Sequence, residues 1–196
     1  AMNDVVPAYT GLANSALTLS IAAGTPISFF EALFGTNASI VRAMPNTPAA
    51  IGRGMSVLCA NTSTTDNQKK LAEILMQAAG AVEWIVDENL MDAVTALSGS
   101  GPAYVFHLIE AMASTGEALG LKPELAAKAA LQTVAGAGEL ARLSSETPGV
   151  LRQNVTSPGG TTAAALDVLM AEDGLSALME RAMTAARDRG RELGAG

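Results

Sequence analysis

The residues best suited to hold a small ligand lie together late in the chain, in Asn154-Val155-Thr156-Ser157-Pro158-Gly159-Gly160-Thr161-Thr162. This polar turn runs directly into Ala163-Ala164-Ala165-Leu166-Asp167-Val168-Leu169-Met170, which reads as a helix. Two adjacent glycines let backbone approach a ligand with no Cβ in the way. The first amides of a helix are unsatisfied donors at the positive end of its dipole, so the turn is shaped for an anion, either a phosphate or a small carboxylate. Thr161 and Thr162 add hydroxyls that donate to or accept from a polar neighbour of that anion. A plain Pro-Gly turn with a threonine N-cap has the same letters and needs no ligand.

Glu88 and Thr95 stand seven residues apart, two helical turns, and so share one face of a helix. Glu146 precedes the segment leading into the turn. A buried glutamate beside a cationic nitrogen would be functional, yet glutamate at a helix start is also ordinary capping, and the residues alone leave both readings open. His107 sits in an apolar helical run, Tyr104-Val105-Phe106-His107-Leu108-Ile109, where packing or an interface is its expected role. Cys59 falls within an apolar strand and is expected to be inert. Arg181, Arg187, Arg189 and Arg191 form the solvated face of a last helix. One histidine, one cysteine and no carboxylate cluster at ligand spacing give no metal site. Gly136-Ala137-Gly138-Glu139-Leu140-Ala141 matches a dinucleotide fingerprint by letter but lies mid-helix and follows no strand. Gly99-Ser100-Gly101-Pro102 reads as a tight corner between helices.

Composition bounds the alternatives. The 196 residues can bury a real core in one or two domains, and hydrophobic residues make up 49%. No apolar run approaches the ~20 residues a membrane helix needs. A net charge of −7 argues against nucleic acid as a partner. A single cysteine allows no intrachain disulfide, and with no charged-then-apolar leader a cytoplasmic location is expected, so the sequons at Asn37, Asn61 and Asn154 are chance matches.

Those side chains need elements to position them. Residues 1–16 are weakly patterned, a helix or a loop. From Leu17 the chain alternates: a strand over Leu17–Ala22, a short helix over Pro26–Phe34 stopped by Gly35, and a strand over Ser39–Met44 closed by Pro45-Asn46-Thr47-Pro48. A strand follows at Met55–Ala60, then a helix capped by Asp66 and ended by Gly80, then a strand at Val82–Val86. This alternation predicts a mainly parallel, doubly wound sheet. After Asp87 only helical periodicity remains: Asp87–Leu97, Ser100–Leu119, Lys122–Leu143, a short piece at 147–153, then 162–171 and 175–193. The expected domains are therefore 1–86, α/β, and 87–196, all-α. The second is rich in small apolar residues on more than one helical face, as in Ala126, Ala127, Ala129, Ala130, Ala135 and Gly136. Helices buried on several sides need more neighbours than one short domain supplies, which predicts an intertwined homodimer.

Three segments, Val41–Pro48, Leu90–Tyr104 and Val155–Thr162, resemble pyrroline-5-carboxylate reductase of the bacterial type, in order and spacing, and the resemblance runs from about Leu17 to the end. It implies a partial Rossmann sheet followed by a helical dimerisation and substrate-binding domain. It also implies a reaction, in which NADPH or NADH reduces the cyclic imine of 1-pyrroline-5-carboxylate to L-proline, the last step of proline synthesis. Dimers in that family often build decamers. The family opens with a first strand, a glycine-rich turn and a Val-Lys-Pro segment that hold most of the dinucleotide. None is found here, so the chain is expected to begin inside that domain.

Carried over residue by residue, the resemblance puts substrate contacts on Glu88, Thr95, Glu146, Ser157, Gly159, Gly160, Thr161 and Thr162. The amides around Ser157, Gly159, Gly160 and Thr161 would hold the substrate carboxylate. Thr162 would hydrogen-bond the nitrogen and assist its protonation as the catalytic side chain. Glu88 or Glu146 would favour the iminium. Cofactor contacts fall on Ala22, Ala23 and Gly24, on Met44, Pro45, Asn46 and Thr47, and on Asn154. The two strand ends are where an open parallel sheet binds ligands. No side chain is a covalent nucleophile; orientation and hydride transfer do the work. The rival readings are a reductase of another imino or 2-hydroxy acid, and a non-catalytic oligomerisation or ligand-binding fragment.

Overall fold

The computed structural model describes residues 2–13 and 15–194; Ala1 and Asn14, within the weakly patterned 1–16 stretch, and the last two residues lie outside that description. The chain forms two compact units, Ala1–Pro102 together with Met183–Gly196, and Ala103–Ala182.

The first unit is built on a four-stranded sheet in the order β1 (Thr18–Ser20), β2 (Ile40–Met44), β3 (Gly54–Ala60), β4 (Gly80–Trp84). β1 and β2 run parallel, as do β3 and β4, but β2 and β3 are antiparallel, so the sheet is mixed. The reason is local: the link over 45–53 holds only a single 3-10 segment, Thr47–Ile51, and is too short for the crossover that a parallel partner requires. Period-two alternation feeds two cores. Ile40 and Cys59 face Val6, Ile27, Phe30 and Met91 on one side of the sheet. Val41, Ala43 and Leu58 face Ala72 on the other.

α1 (Met2–Val5) and α2 (Ile27–Phe34) supply the first of those sides and α3 (Asp66–Gln77) the second. α2 stops at Gly35 in a positive-φ conformation (87°). The cap of α3 is Thr65 rather than Asp66: its hydroxyl accepts from the Gln68 amide while the Gln68 side chain accepts from the Thr65 amide at 2.9 Å. That reciprocal pair satisfies two helix-start donors, leaving Asp66 as the first helical residue. Gly80 is not the helix stop, since α3 ends at Gln77 with Ala78 as its C-cap; it is the first residue of β4. With φ at 144° it pairs across to Gly54, and a Cβ there would overlap the Gly54 carbonyl. Asn61 is buried and spent on hydrogen bonds to Ala38, Ile40 and Thr64, so that sequon has a structural use.

Past the sheet, the single helix expected over Asp87–Leu97 is three pieces: a 3-10 turn (Glu88–Leu90), α4 (Met91–Val94) and a π-helical turn (Thr95–Gly99). No corner follows. Ser100 keeps right-handed helical angles (φ −82°, ψ −20°) and its amide reaches back to the Thr95 carbonyl at 2.8 Å, the wide π spacing, before α5 (Gly101–Ala118) continues. α6 (Pro123–Leu143), α7 (Pro148–Asn154), α8 (Thr161–Leu169) and α9 (Leu175–Gly194) complete the chain. α5 buries no residue and α6 only Ala126 and Ala130, so their apolar surface is not consumed within the chain. His107 is exposed on α5 beside Glu110 rather than packed. No described helix is long and apolar enough to cross a membrane.

Candidate functional site

In the first unit, parallel pairing of β1 and β2 sets their carboxyl ends side by side, which brings Ala22, Ala23 and Gly24 beside Met44, Pro45, Asn46 and Thr47. Gly24 takes a positive φ of 71° that turns the chain away after the strand. Asn46 is tied down through its side chain. Its Oδ1 accepts from the Met55 amide at 2.9 Å, and its Nδ2 donates to the carbonyl and hydroxyl of Ser98 at 3.2 and 3.3 Å. The Asn46 side chain is thus held in place by protein groups at both ends of its amide.

Glu88 is likewise engaged. Its Oε1 accepts from the Ile27 amide at 2.9 Å, capping α2, and from Arg42 Nη1 at 2.8 Å. Arg42 is buried in the middle of β2, its side chain 8% exposed against 28% for Glu88. A guanidinium there is tolerated only because a carboxylate meets it. The pair lines a cavity of about 350 Å³ together with Gly24, Asp92 and Arg191. Arg191 thus has a second use beyond the solvated face of α9. Thr95 points its hydroxyl back to the Met91 carbonyl at 2.8 Å, a bond within its own helix. Cys59 lies opposite Arg42 on β3, and burial pushes its thiol pKa up, with the nearby Glu88 carboxylate adding to the shift.

In the second unit the remaining candidates cluster locally. Thr147 caps α7, and α7 carries Asn154 at its end, where Nδ2 donates to Glu146 Oε2 at 3.0 Å. Two predicted residues are thus joined across the two ends of one short helix. The chain then turns: Thr156 donates to the Arg152 carbonyl at 2.6 Å, and the Gly160 amide donates to the Ser157 carbonyl at 3.1 Å. Gly159 sits at φ 68°, and a Cβ on Gly160 would overlap the Ser157 hydroxyl. Gly160, not a threonine, is the N-cap of α8, with Thr161 and Thr162 its first two residues. The Gly160 amide is thus spent inside the turn. The donors that a helix start leaves open are the amides of Thr161, Thr162 and Ala163, at the positive end of the α8 dipole and beside the Ser157, Thr161 and Thr162 hydroxyls. Such a mouth can hold one carboxylate and offer a hydroxyl to a group attached to it.

The family model for pyrroline-5-carboxylate reductase dimerisation matches residues 88–193, more than half of the chain. The chain belongs to the pyrroline-5-carboxylate reductase family. A pyrroline-5-carboxylate reductase of Pseudomonas aeruginosa is 48% identical over 90% of this chain and 64% of its own length. One from Synechocystis is 45% identical over 98% of this chain and 71% of its own. Among solved structures, a pyrroline-5-carboxylate reductase of Coxiella burnetii superposes with a TM-score of 0.92 at 40% identity, covering 98% of this chain and 72% of that one. The pyrroline carboxylate reductase of Plasmodium falciparum, solved with NADP bound, gives 0.85 at 33% identity, covering 97% and 72%. The chain thus spans about two thirds of the length of the curated pyrroline-5-carboxylate reductases it matches.

Two residues of these surroundings, Arg42 and Ser98, were not singled out from the sequence, and Arg191, read as part of a solvated face, also lines the cavity. For Arg42 a signal existed, since a charge in the run Ile40-Val41-Arg42-Ala43 demands a buried partner. Ser98 and Arg191 carried none, because their neighbours come from distant parts of the chain.

Proposed function

We propose that this protein reduces 1-pyrroline-5-carboxylate to L-proline with a hydride from NADPH or NADH. The observation that carries the reading is the α8 mouth, which lies inside the segment matched by the family model and presents three free amides beside three hydroxyls. The substrate carboxylate sits on the amides of Thr161, Thr162 and Ala163, with the Ser157 hydroxyl beside it. The Thr162 hydroxyl then meets the ring nitrogen. As the carbon–nitrogen double bond becomes single, that nitrogen keeps the proton of its iminium form and ends as the secondary amine of proline. Glu146, held by Asn154, adds negative charge that favours the iminium.

The dinucleotide supplies the hydride. Its fit rests on the strand ends: Ala22, Ala23 and Gly24 carry nothing larger than a methyl, and Gly24 turns sharply, so backbone can approach a bulky ligand beside Met44–Thr47. In this reading residues 1–86 are the dinucleotide-binding part, 87–196 the helical dimerisation and substrate part, and the protein works in the cytoplasm. Self-association as a homodimer, and decamers built from it, belong to the same proposal. Its support is the family model's description and the apolar side chains left exposed on α5 and α6, among them Phe106, Leu131 and Leu140. The test is direct: purified protein is mixed with 1-pyrroline-5-carboxylate and each dinucleotide, and dinucleotide oxidation is matched against proline formed. No proline with either cofactor would overturn the reading.

A further inference from the structure

The carboxyl end of β2 and the π-helical turn are far apart in sequence, yet the structure ties them together twice. The Asn46 amide bridges three backbone segments, accepting from Met55 at the start of β3 and donating to both the carbonyl and the hydroxyl of Ser98. Next to this bridge, Gly99 leaves room for the Met44 methyl, and a Cβ at Gly99 would stand 2.5 Å from Met44 Cε. A π turn is an irregular element that helices keep mostly where something depends on it. Here it widens the helix at the place where Ser98 and Gly99 meet β2, one turn after Thr95 sends its hydroxyl to Met91.

We propose that Ser98 is a positioning residue, which through Asn46 pins the β2 end, Met44–Thr47, to the π turn and so fixes the floor on which the dinucleotide rests. This deepens the reductase reading and rests on it. The Ser98 hydroxyl touches no reactant; it decides where the Met44–Thr47 backbone stands. A loosened floor must be ordered again when the dinucleotide binds, so cofactor binding weakens while the carboxylate site is untouched.

The test uses the full chain with Ser98→Ala, Ser98→Thr and Gly99→Ala. In Ser98→Ala one of the two acceptors for Asn46 is gone while the Ser98 carbonyl remains, so KM for NADPH rises roughly three- to tenfold and KM for 1-pyrroline-5-carboxylate stays put. Gly99→Ala, which displaces Met44, shows the same split, and Ser98→Thr, which keeps the hydroxyl, restores the wild-type value. Hydrogen exchange supplies a readout that needs no turnover: the Met55 amide and segment 44–47 exchange faster in Ser98→Ala. Unchanged KM for NADPH with unchanged exchange would overturn the proposal, as would an equal rise in both KM values accompanied by a lower melting temperature, the mark of a merely structural role. If the wild-type protein reduces nothing, the reductase reading fails by itself, and exchange at Met55 still decides whether Ser98 pins β2.

Discussion

Removing the Glu88 carboxylate separates two roles for one residue. Charge centres about 4 Å apart attract by about 4 kcal/mol at an effective dielectric near 20. Burying the Arg42 guanidinium, 8% exposed, offsets most of that, and Glu88 at 28% is partly screened by water. A net coupling of about 1–2 kcal/mol between the two side chains remains. Glu88→Gln keeps an acceptor for the Ile27 amide, which α2 needs at its start, but strands the guanidinium without a counter-charge. The expected loss is about 2–3 kcal/mol of folding stability, nearer the low end of what broken buried pairs cost. Glu88→Ala adds the lost cap, about 1 kcal/mol more. The assay is a double-mutant cycle in urea, with Glu88→Gln, Arg42→Met and the pair, alongside kcat for each. The structure predicts non-additive stability and a small change in kcat. If stability changes add within about 0.3 kcal/mol while kcat falls by orders of magnitude, Glu88 serves the iminium and the ion-pair account is wrong.

Thr162→Ala should lower turnover roughly ten- to a hundredfold through a lost hydrogen bond of about 1.5–3 kcal/mol, and steady-state kinetics equal to wild type would take Thr162 out of the mechanism. Ser56, on β3, holds a buried hydroxyl with no hydrogen-bond partner among the described residues, so Ser56→Ala should raise stability by about 0.5–1.5 kcal/mol in urea titration, and a destabilised variant would refute this. Gly80→Ala should cost more than about 2 kcal/mol, because the new methyl meets the Gly54 backbone and cannot rotate away; a melting curve like wild type would mean the β3–β4 pairing adapts. Cys59 bears on alkaline stability. Its folded pKa is raised above the ordinary 9.0, so its contribution is fully present below that value and lost as pH climbs through the raised one. Cys59→Ala should flatten the alkaline limb of the stability curve, and an unchanged limb would place the titration elsewhere.

The features legible in the residues alone are those set by local forces. The four strands and the long helices announce themselves through periodicity and through stops such as Gly35 and Gly120, where only a residue without a Cβ turns easily. The Ser157–Thr162 turn was legible for the same reason: Pro-Gly-Gly followed by threonines dictates a bend and a helix start whatever surrounds them. Tertiary structure decided what depends on partners remote in the chain. The antiparallel β2–β3 pair is the exception, since the short 45–53 link already argues against a parallel crossover and only the reading of the alternation missed it. Arg42 finds Glu88, and Asn46 finds Ser98, across stretches that periodicity cannot span. The same holds for the final residues from Met183, which belong to the unit built on the sheet although they read only as helix. A helix's periodicity tells which of its faces is apolar, never whose core that face will join.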